Sequence, residues 1–228
     1  MRRAVSLEEI SDGHLYREND MVKADCHGCH GCHTCCTGMG SSIILDPFDM
    51  WRLQTATGKN LQELLNEEKI ELNIVDGCIL PNLKMLGTRE ACAFLNDAGR
   101  CSIHSARPGI CRLFPLGRYY ENGDFQYFLQ TGECPEKNRS KIKVEKWIDT
   151  PNLKQNHEMV RTWHYLLKAT EEAIFTKSEG EYAKQLNMRL LTMFYFIGAP
   201  TEQDFYEAFY ERVEVICRQF SLQIASTQ

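Results

Sequence analysis

Apolar residues recur along this chain with two different periods, and the change falls near residue 145. Beyond it, three stripes have helical spacing: Leu153, Val160, Trp163, Leu167 and Ile174; Tyr182, Leu186, Leu190, Met193 and Ile197; and Phe205, Phe209, Val213, Ile216 and Phe220. Each stripe is one face of an amphipathic helix. Pro200-Thr201, with Asp204 at the third helical position, marks the start of the last one. The surplus aromatics Phe194, Tyr195, Phe196, Tyr206 and Tyr210 are expected in a packed core, the other reading being a pocket or partner surface.

The first part of the chain is more broken. Asp46-Pro47 opens a helix, Asp as N-cap and Pro in the first turn, with Phe48 and Trp51 on one face and Gly58 as its stop. Asn60 caps a second helix carrying Leu61, Leu64 and Leu65, with Glu63 as capping-box partner. Residues 70–75 and 78–80 read as a hairpin around Asp76-Gly77. A second hairpin pairs 91–95 with 100–104 across Asn96-Asp97-Ala98-Gly99. A third pairs 116–120 with 125–129 across Asn122-Gly123. With Leu95 opposite Arg100 in the second hairpin, Phe94 faces Cys101 and Cys92 faces Ile103. Cys92 and Cys101 then share a face as diagonal neighbours roughly 7 Å apart, a separation suited to two ligands of one metal or cluster.

The expected fold class is therefore α+β. A small cysteine-rich, metal-bound domain with short helices and β-hairpins occupies residues 1–145, and a three-helix domain occupies 146–228. The basic stretch 137–143 reads as a solvated linker between them. At 228 residues the chain is long enough to bury a core without disulfides. No apolar window reaches membrane-spanning length and no apolar stretch follows Arg2-Arg3, so the expected location is the cytoplasm and no membrane partner is expected. The net charge of −5 argues against a nucleic-acid partner.

Cysteine then takes over the reading. Eleven are present, five of them within residues 26–36. Thiolates this dense repel one another unless metal or disulfide formation intervenes, and a reducing compartment favours metal. Cys26-x2-Cys29-x2-Cys32-x3-Cys36 has the spacing of a ferredoxin cluster loop, with Thr37 in place of the usual proline and Cys134-Pro135 available as a remote ligand. Adjacent Cys35 and Cys36 point apart, so they serve different metals or one is a spectator. Zinc competes directly, since Cys29 and Cys32 with Cys92 and Cys101 would complete a tetrahedral thiolate site. Cys26-His27-Gly28-Cys29-His30 and Cys29-His30-Gly31-Cys32-His33 also match the c-type haem signature, but they share Cys29, and haem attachment normally follows export. His27, His30 and His33 are candidates to hydrogen-bond the cluster sulfurs. Cys217, beside Ile216 on a helix, reads as a buried small hydrophobe.

Four segments together resemble the YkgJ-like family of zinc- or iron-chelating cysteine-cluster proteins. They are Cys29-x2-Cys32-x2-Cys35-Cys36; Ile43-Ile44-Leu45-Asp46-Pro47-Phe48-Asp49; Cys92-Ala93-Phe94-Leu95 with Gly99-Arg100-Cys101-Ser102-Ile103-His104; and Arg107-Pro108-x2-Cys111-Arg112-Leu113-Phe114-Pro115. The resemblance spans roughly residues 26–134. It implies that Cys29, Cys32, Cys35, Cys36, Cys92, Cys101, Cys111 and Cys134 gather around metal. Cys26 is an addition to the family pattern, and His104 stands where the family often has tyrosine; both join the candidate ligands. Arg107 and Arg112 flank Cys111, where guanidinium groups would offset the negative charge of a thiolate-bound cluster, the alternative being pairing with carboxylates or carbonyls.

No nucleotide loop, Ser–His–Asp arrangement or His-Glu-x-x-His signature is present. The function expected is a cytoplasmic metal-cluster protein, with an iron–sulfur cluster of the 4Fe-4S type as cofactor, acting in electron transfer or in redox or protein modification with a protein or redox partner. A related cysteine pattern in the flagellin lysine methylases, which look like iron–sulfur proteins, leaves an oxidoreductase or a methylase-like activity as the enzymatic readings. The alternatives are a non-catalytic zinc-stabilised binding module and a metal-handling protein.

Overall fold

The computed structural model describes residues 6–28, 32–177, 179–196, 198 and 201–224. It is α+β: several small antiparallel sheets in the cysteine-rich region, followed by long helices. A short helix α1 (Leu7–Ile10) leads into strands β1 (Ser11–Tyr16) and β2 (Met21–Asp25). The cysteine run follows, with a 3-10 turn at Thr34–Cys36.

Helix α2 (Pro47–Thr57) forms where its signals lie. Asp46 accepts the Asp49 amide, Asp49 reciprocates to the Asp46 amide, and Gly58 closes the helix in the left-handed region. Helix α3 (Leu61–Asn66) repeats the device with Asn60 and Glu63. Strands β3 (Ile70–Val75) and β4 (Cys78–Leu83) pair from Val75 opposite Cys78 to Ile70 opposite Leu83. Strands β7 (Leu116–Glu121) and β8 (Asp124–Gln130) turn through Asn122 and Gly123, both at positive φ as a two-residue primed turn requires. β1 adds to the free edge of β8, giving the order β1-β8-β7.

The hairpin expected over residues 91–104 is corrected. Only Ala91–Cys92 is a strand (β6), and its partner is β5 (Met85–Leu86), so Cys92 lies opposite Met85. Further on, Leu95 bridges Cys101, and Asn96 donates its amide to Arg100 O. The loop is therefore one residue shorter than expected, Asp97-Ala98-Gly99, with Gly99 at φ +69. Its left-handed last residue makes a three-residue connection the favoured solution. Stretch 137–143 also departs from a solvated linker, since Ser140–Lys143 forms β9, paired antiparallel with β2.

Helices α4 (Gly109–Leu113) and α5 (Val144–Ile148) are short, and α6 (Leu153–Lys177), α7 (Gly180–Tyr195) and α8 (Glu202–Phe220) are long. All five residues of the α8 stripe are buried, and Thr201 caps the helix by accepting the Asp204 amide. Ile197 and Pro200 lie outside the described residues. Of the surplus aromatics, Phe194, Tyr195 and Tyr206 are core residues, whereas Phe196 is 51% exposed. One hydrophobic cluster takes in α2, the β3–β4 hairpin and α6 to α8. Phe48 packs against Phe205 and Tyr206 at ring separations of 5.3 and 5.4 Å. Tyr195 donates its buried hydroxyl to Leu45 O at 2.9 Å. Among the described residues no helix is long and apolar enough to cross a membrane.

Candidate metal centre

The cysteine loop is fixed at both ends by local hydrogen bonds. Asp25, closing β2, accepts the His27 amide at 2.9 Å and the Ser140 hydroxyl of β9 at 2.9 Å. Cys26 follows it and is buried, and His27 and Gly28 then turn the chain at positive φ. Cys29, His30 and Gly31 lie outside the described residues. At the far end the Cys36 amide bonds His33 O, Thr37 bridges Ala91, and the Gly38 amide bonds Glu90 O. That ladder sets Cys35 and Cys36 beside Cys92 of β6.

Cys101 comes from the return of the Asp97–Gly99 loop. His33 packs over this loop so closely that a Cβ on Gly99 would stand 3.2 Å from its Nδ1. Cys111 sits on α4, whose first amide, Gly109, donates to Asp49 Oδ1 of α2 at 2.6 Å. Arg52 of α2 also donates to Ser105 O in the 3-10 turn at His104–Ala106. Helix α2 thus places both the Cys111 helix and the His104 turn.

These segments converge. Cys26, Cys32, Cys35, Cys36, Cys92, Cys101 and Cys111 line one cavity of about 200 Å³, together with His33, His104, Arg100 and Arg107. Ile43, Leu83, Phe94, Ile103 and Trp147 supply its apolar wall. Among the described residues no cysteine is joined to another in a disulfide. Within the described residues no three His, Cys, Asp or Glu side chains close around one point as a single-ion site would. Cys134 lies in the irregular segment between β8 and β9 and does not line the cavity. Arg112 is buried, donating Nε to Ile148 O at 3.2 Å, and does not line it either. Burial, and then the neighbouring Arg52 guanidinium, lower the Arg112 pKa to about 10.

The electrostatics follow from crowding. Cys36 hydrogen-bonds Cys35, which lowers the Cys35 thiol to about 6 with help from Arg107 and drives Cys36 above its ordinary range. Burial raises the Cys92 and Cys101 thiols, opposed by the Phe94 and Ile103 amides. Cys111 is raised furthest, by burial and then by Cys92, Asp49, Cys35 and Cys101. Burial lowers His104, and so do Arg107, Arg100 and Arg112 around it. Seven thiols facing one volume cannot ionise together without positive charge among them. The donor set, thiolate with imidazole at the rim, is the one that zinc, iron and iron–sulfur clusters accept, so the residues present fit such a group.

Two cysteines lie elsewhere. Cys78 is buried in β4, where burial and then Glu171 push its thiol up to about 12. Cys217 packs partly buried against the core on α8. Sequence reasoning missed Asp49, which appears there only within the family-like segment 43–49, and Arg100, which lines the cavity beside Cys101. It also missed Trp147, which donates to Leu113 O at 3.2 Å and closes one wall.

A thiol-lined cavity on an α+β scaffold defines a metal-binding cysteine-cluster protein. Residues 28–141 match the CxxCxxCC family, described as “Putative zinc- or iron-chelating domain”. The chain belongs to that family. No curated protein and no solved structure matches it significantly.

Proposed function

We propose that the chain is an iron–sulfur protein, its thiol cavity holding a 4Fe-4S cluster used in electron transfer or in redox modification of a protein partner. The observation that carries this reading is the room between the thiols: they line a cavity of about 200 Å³, and among the described residues no three His, Cys, Asp or Glu side chains close on one point as a single zinc ion requires. A bound cluster would supply a one-electron couple. Cys92, Cys101 and Cys111 are the candidates to hold it from the inner walls, and Cys35 or Cys36 from the loop. Arg107 and Arg100 face the same cavity, where their guanidinium groups offset the negative charge of ligated thiolates. The apolar wall of Ile43, Phe94 and Ile103 limits water at the sulfurs.

A second reading, a zinc-stabilised binding module, is favoured by one observation. The strands that carry the cavity are minimal, two residues each in β5 and β6, and bound metal contributes folding energy directly. Anaerobic purification with metal and sulfide analysis separates the two. Brown protein containing iron and acid-labile sulfide in equal amounts is the expected result. Colourless protein with stoichiometric zinc and no sulfide overturns the iron–sulfur reading.

A further inference from the structure

Behind the thiol cavity lies a second one of about 210 Å³, and the two share a wall: Ile110 lines the second and Cys111, the next residue, lines the first. At the end nearest the thiols its polar groups include Asp46 and Asp49 at the start of α2, Arg118 and Tyr120 on β7, and His164 on α6, while Asp76, Lys168 and Glu171 also line it. Helix capping accounts for the two carboxylates as acceptors. It does not account for Arg118. That guanidinium interacts with the Tyr120 hydroxyl and stands 5.5 Å from the Phe125 ring centre, but its Nε is sealed from solvent and makes no hydrogen bond. Lys168, a cation that also lines the cavity, is tied to Glu171 at 2.8 Å.

The Arg118 guanidinium and the Asp49 carboxyl group are close without being joined. A Cβ built on Gly109 would meet Arg118 Nη2 at 3.4 Å and Asp49 Oδ1 at 3.5 Å, so both border one point over the start of α4. A ligand bearing an ammonium and a carboxylate on a single carbon presents its charges at that spacing. The remaining wall is apolar and aromatic, with Leu80, Val160 and Trp163. The volume is that of roughly seven water molecules, too little for a nucleotide.

We propose that this second cavity binds a free α-amino acid with a small apolar side chain, its carboxylate on Arg118 and its ammonium on Asp46 and Asp49. Burial raises both aspartates above the usual carboxylate range, and Asp46 raises Asp49 further, against the pull of Arg118; an ammonium group between them favours their charged form. The ring of His164, stacked on Tyr120 at 3.6 Å, is held low, at about 4, chiefly by burial, so it brings no competing cation. The proposal stands whichever metal the thiol cavity holds.

The test titrates metal-loaded full-length protein with L-alanine, L-valine and L-leucine by calorimetry. At least one binds. Its deaminated acid and its decarboxylated amine bind at least tenfold more weakly, because each leaves one charged partner unmatched. Asp46→Asn preserves the helix cap, since asparagine caps as well as aspartate. That variant and Arg118→Gln each weaken binding at least tenfold with metal content unchanged. Absence of binding by all three amino acids overturns the proposal. So does equal affinity for the acid or the amine, or undiminished binding in the two variants.

Discussion

Asn187 is the side chain whose removal tests how the long helices hold the β3–β4 hairpin. It sits mid-helix on α7, 5% exposed. Its Oδ1 accepts the Ile79 amide at 2.7 Å, and its Nδ2 donates to Gly77 O and to Ala183 O, both at 3.0 Å. The amide thus completes the edge of β4 just past the turn, as a neighbouring strand would. Asn187→Ala leaves the Ile79 N–H and the Gly77 carbonyl without a partner. Each orphaned group costs about 1–3 kcal/mol, and because both residues are only half-buried the lower half of that range applies, about 2–4 kcal/mol for the pair. Alanine returns about 0.6 kcal/mol through helix propensity. The expected net loss is about 1.4–3.4 kcal/mol, or about 3–14 °C in Tm for a chain of this size. Urea and thermal unfolding of the metal-loaded protein, followed by circular dichroism, measures it. Asn187→Asp keeps the shape and the acceptor for Ile79 but turns a carboxylate towards two carbonyls, so it should be at least as damaging as alanine. A loss below about 0.5 kcal/mol in the alanine variant, the range of ordinary surface changes, would refute the docking argument.

The remaining expectations concern charge, a strand and the thiols. Burial, and then Asp46, raise the Asp49 pKa to about 8, so between pH 4 and 8 the folded chain keeps a proton that the unfolded chain has released. The stability this confers is complete below pH 4 and lost as pH rises through 8. Asp49→Asn should remove that slope, shown by the difference between paired urea curves at pH 5 and 8, and should be less stable than the parent at pH 5, because its Nδ2 replaces one of the two oxygens that accept the Gly109 and Asp46 amides. Gly117 lies directly opposite Phe128, and an added Cβ would stand 2.3 Å from the ring's Cζ, so Gly117→Ala should cost about 1–3 kcal/mol in thermal unfolding. Cys36→Ser should lose most of the bound metal while Cys217→Ser retains all of it, read by elemental analysis; equal metal content in the two would contradict the assignment of the cavity.

What was legible in the sequence was local. Asp46-Pro47, Asn60 with Glu63, Asp76-Gly77 and Asn122-Gly123 each fix their element through contacts within a few residues, and all four elements form where those signals lie. The α8 stripe is buried at every position because helical period alone decides a face. Strand β9 was illegible because its partner β2 lies over a hundred residues away and its own residues, Ser140 to Lys143, are half charged. The loop before Cys101 was misread by one residue, since Asn96 serves equally as the first loop position or the last paired one. Asn96 pairs because its side chain also accepts the Arg100 amide. Arg118 was invisible as a cavity residue, for nothing in a strand's alternation says that its outer face meets α2 and α6.

The cavity-bearing segments are too short to hold their own geometry, and α2 supplies what they lack. Phe48 anchors it in the aromatic cluster with α8, and the Gln54 amide donates to Tyr195 O at 3.3 Å on α7. From the same helix, Asp49 holds the first amide of the Cys111 helix and Arg52 holds the carbonyl before Ala106. Successive turns of one capped helix therefore fasten the core on one side and the cysteine framework on the other. A core substitution that tilts α2 must move Cys111 relative to Cys92, because the Gly109–Asp49 hydrogen bond links the two rigid pieces. That coupling runs in both directions: a metal group held by Cys111 and Cys92, as proposed, would restrain α2, and through it the packing of Phe48 on Phe205.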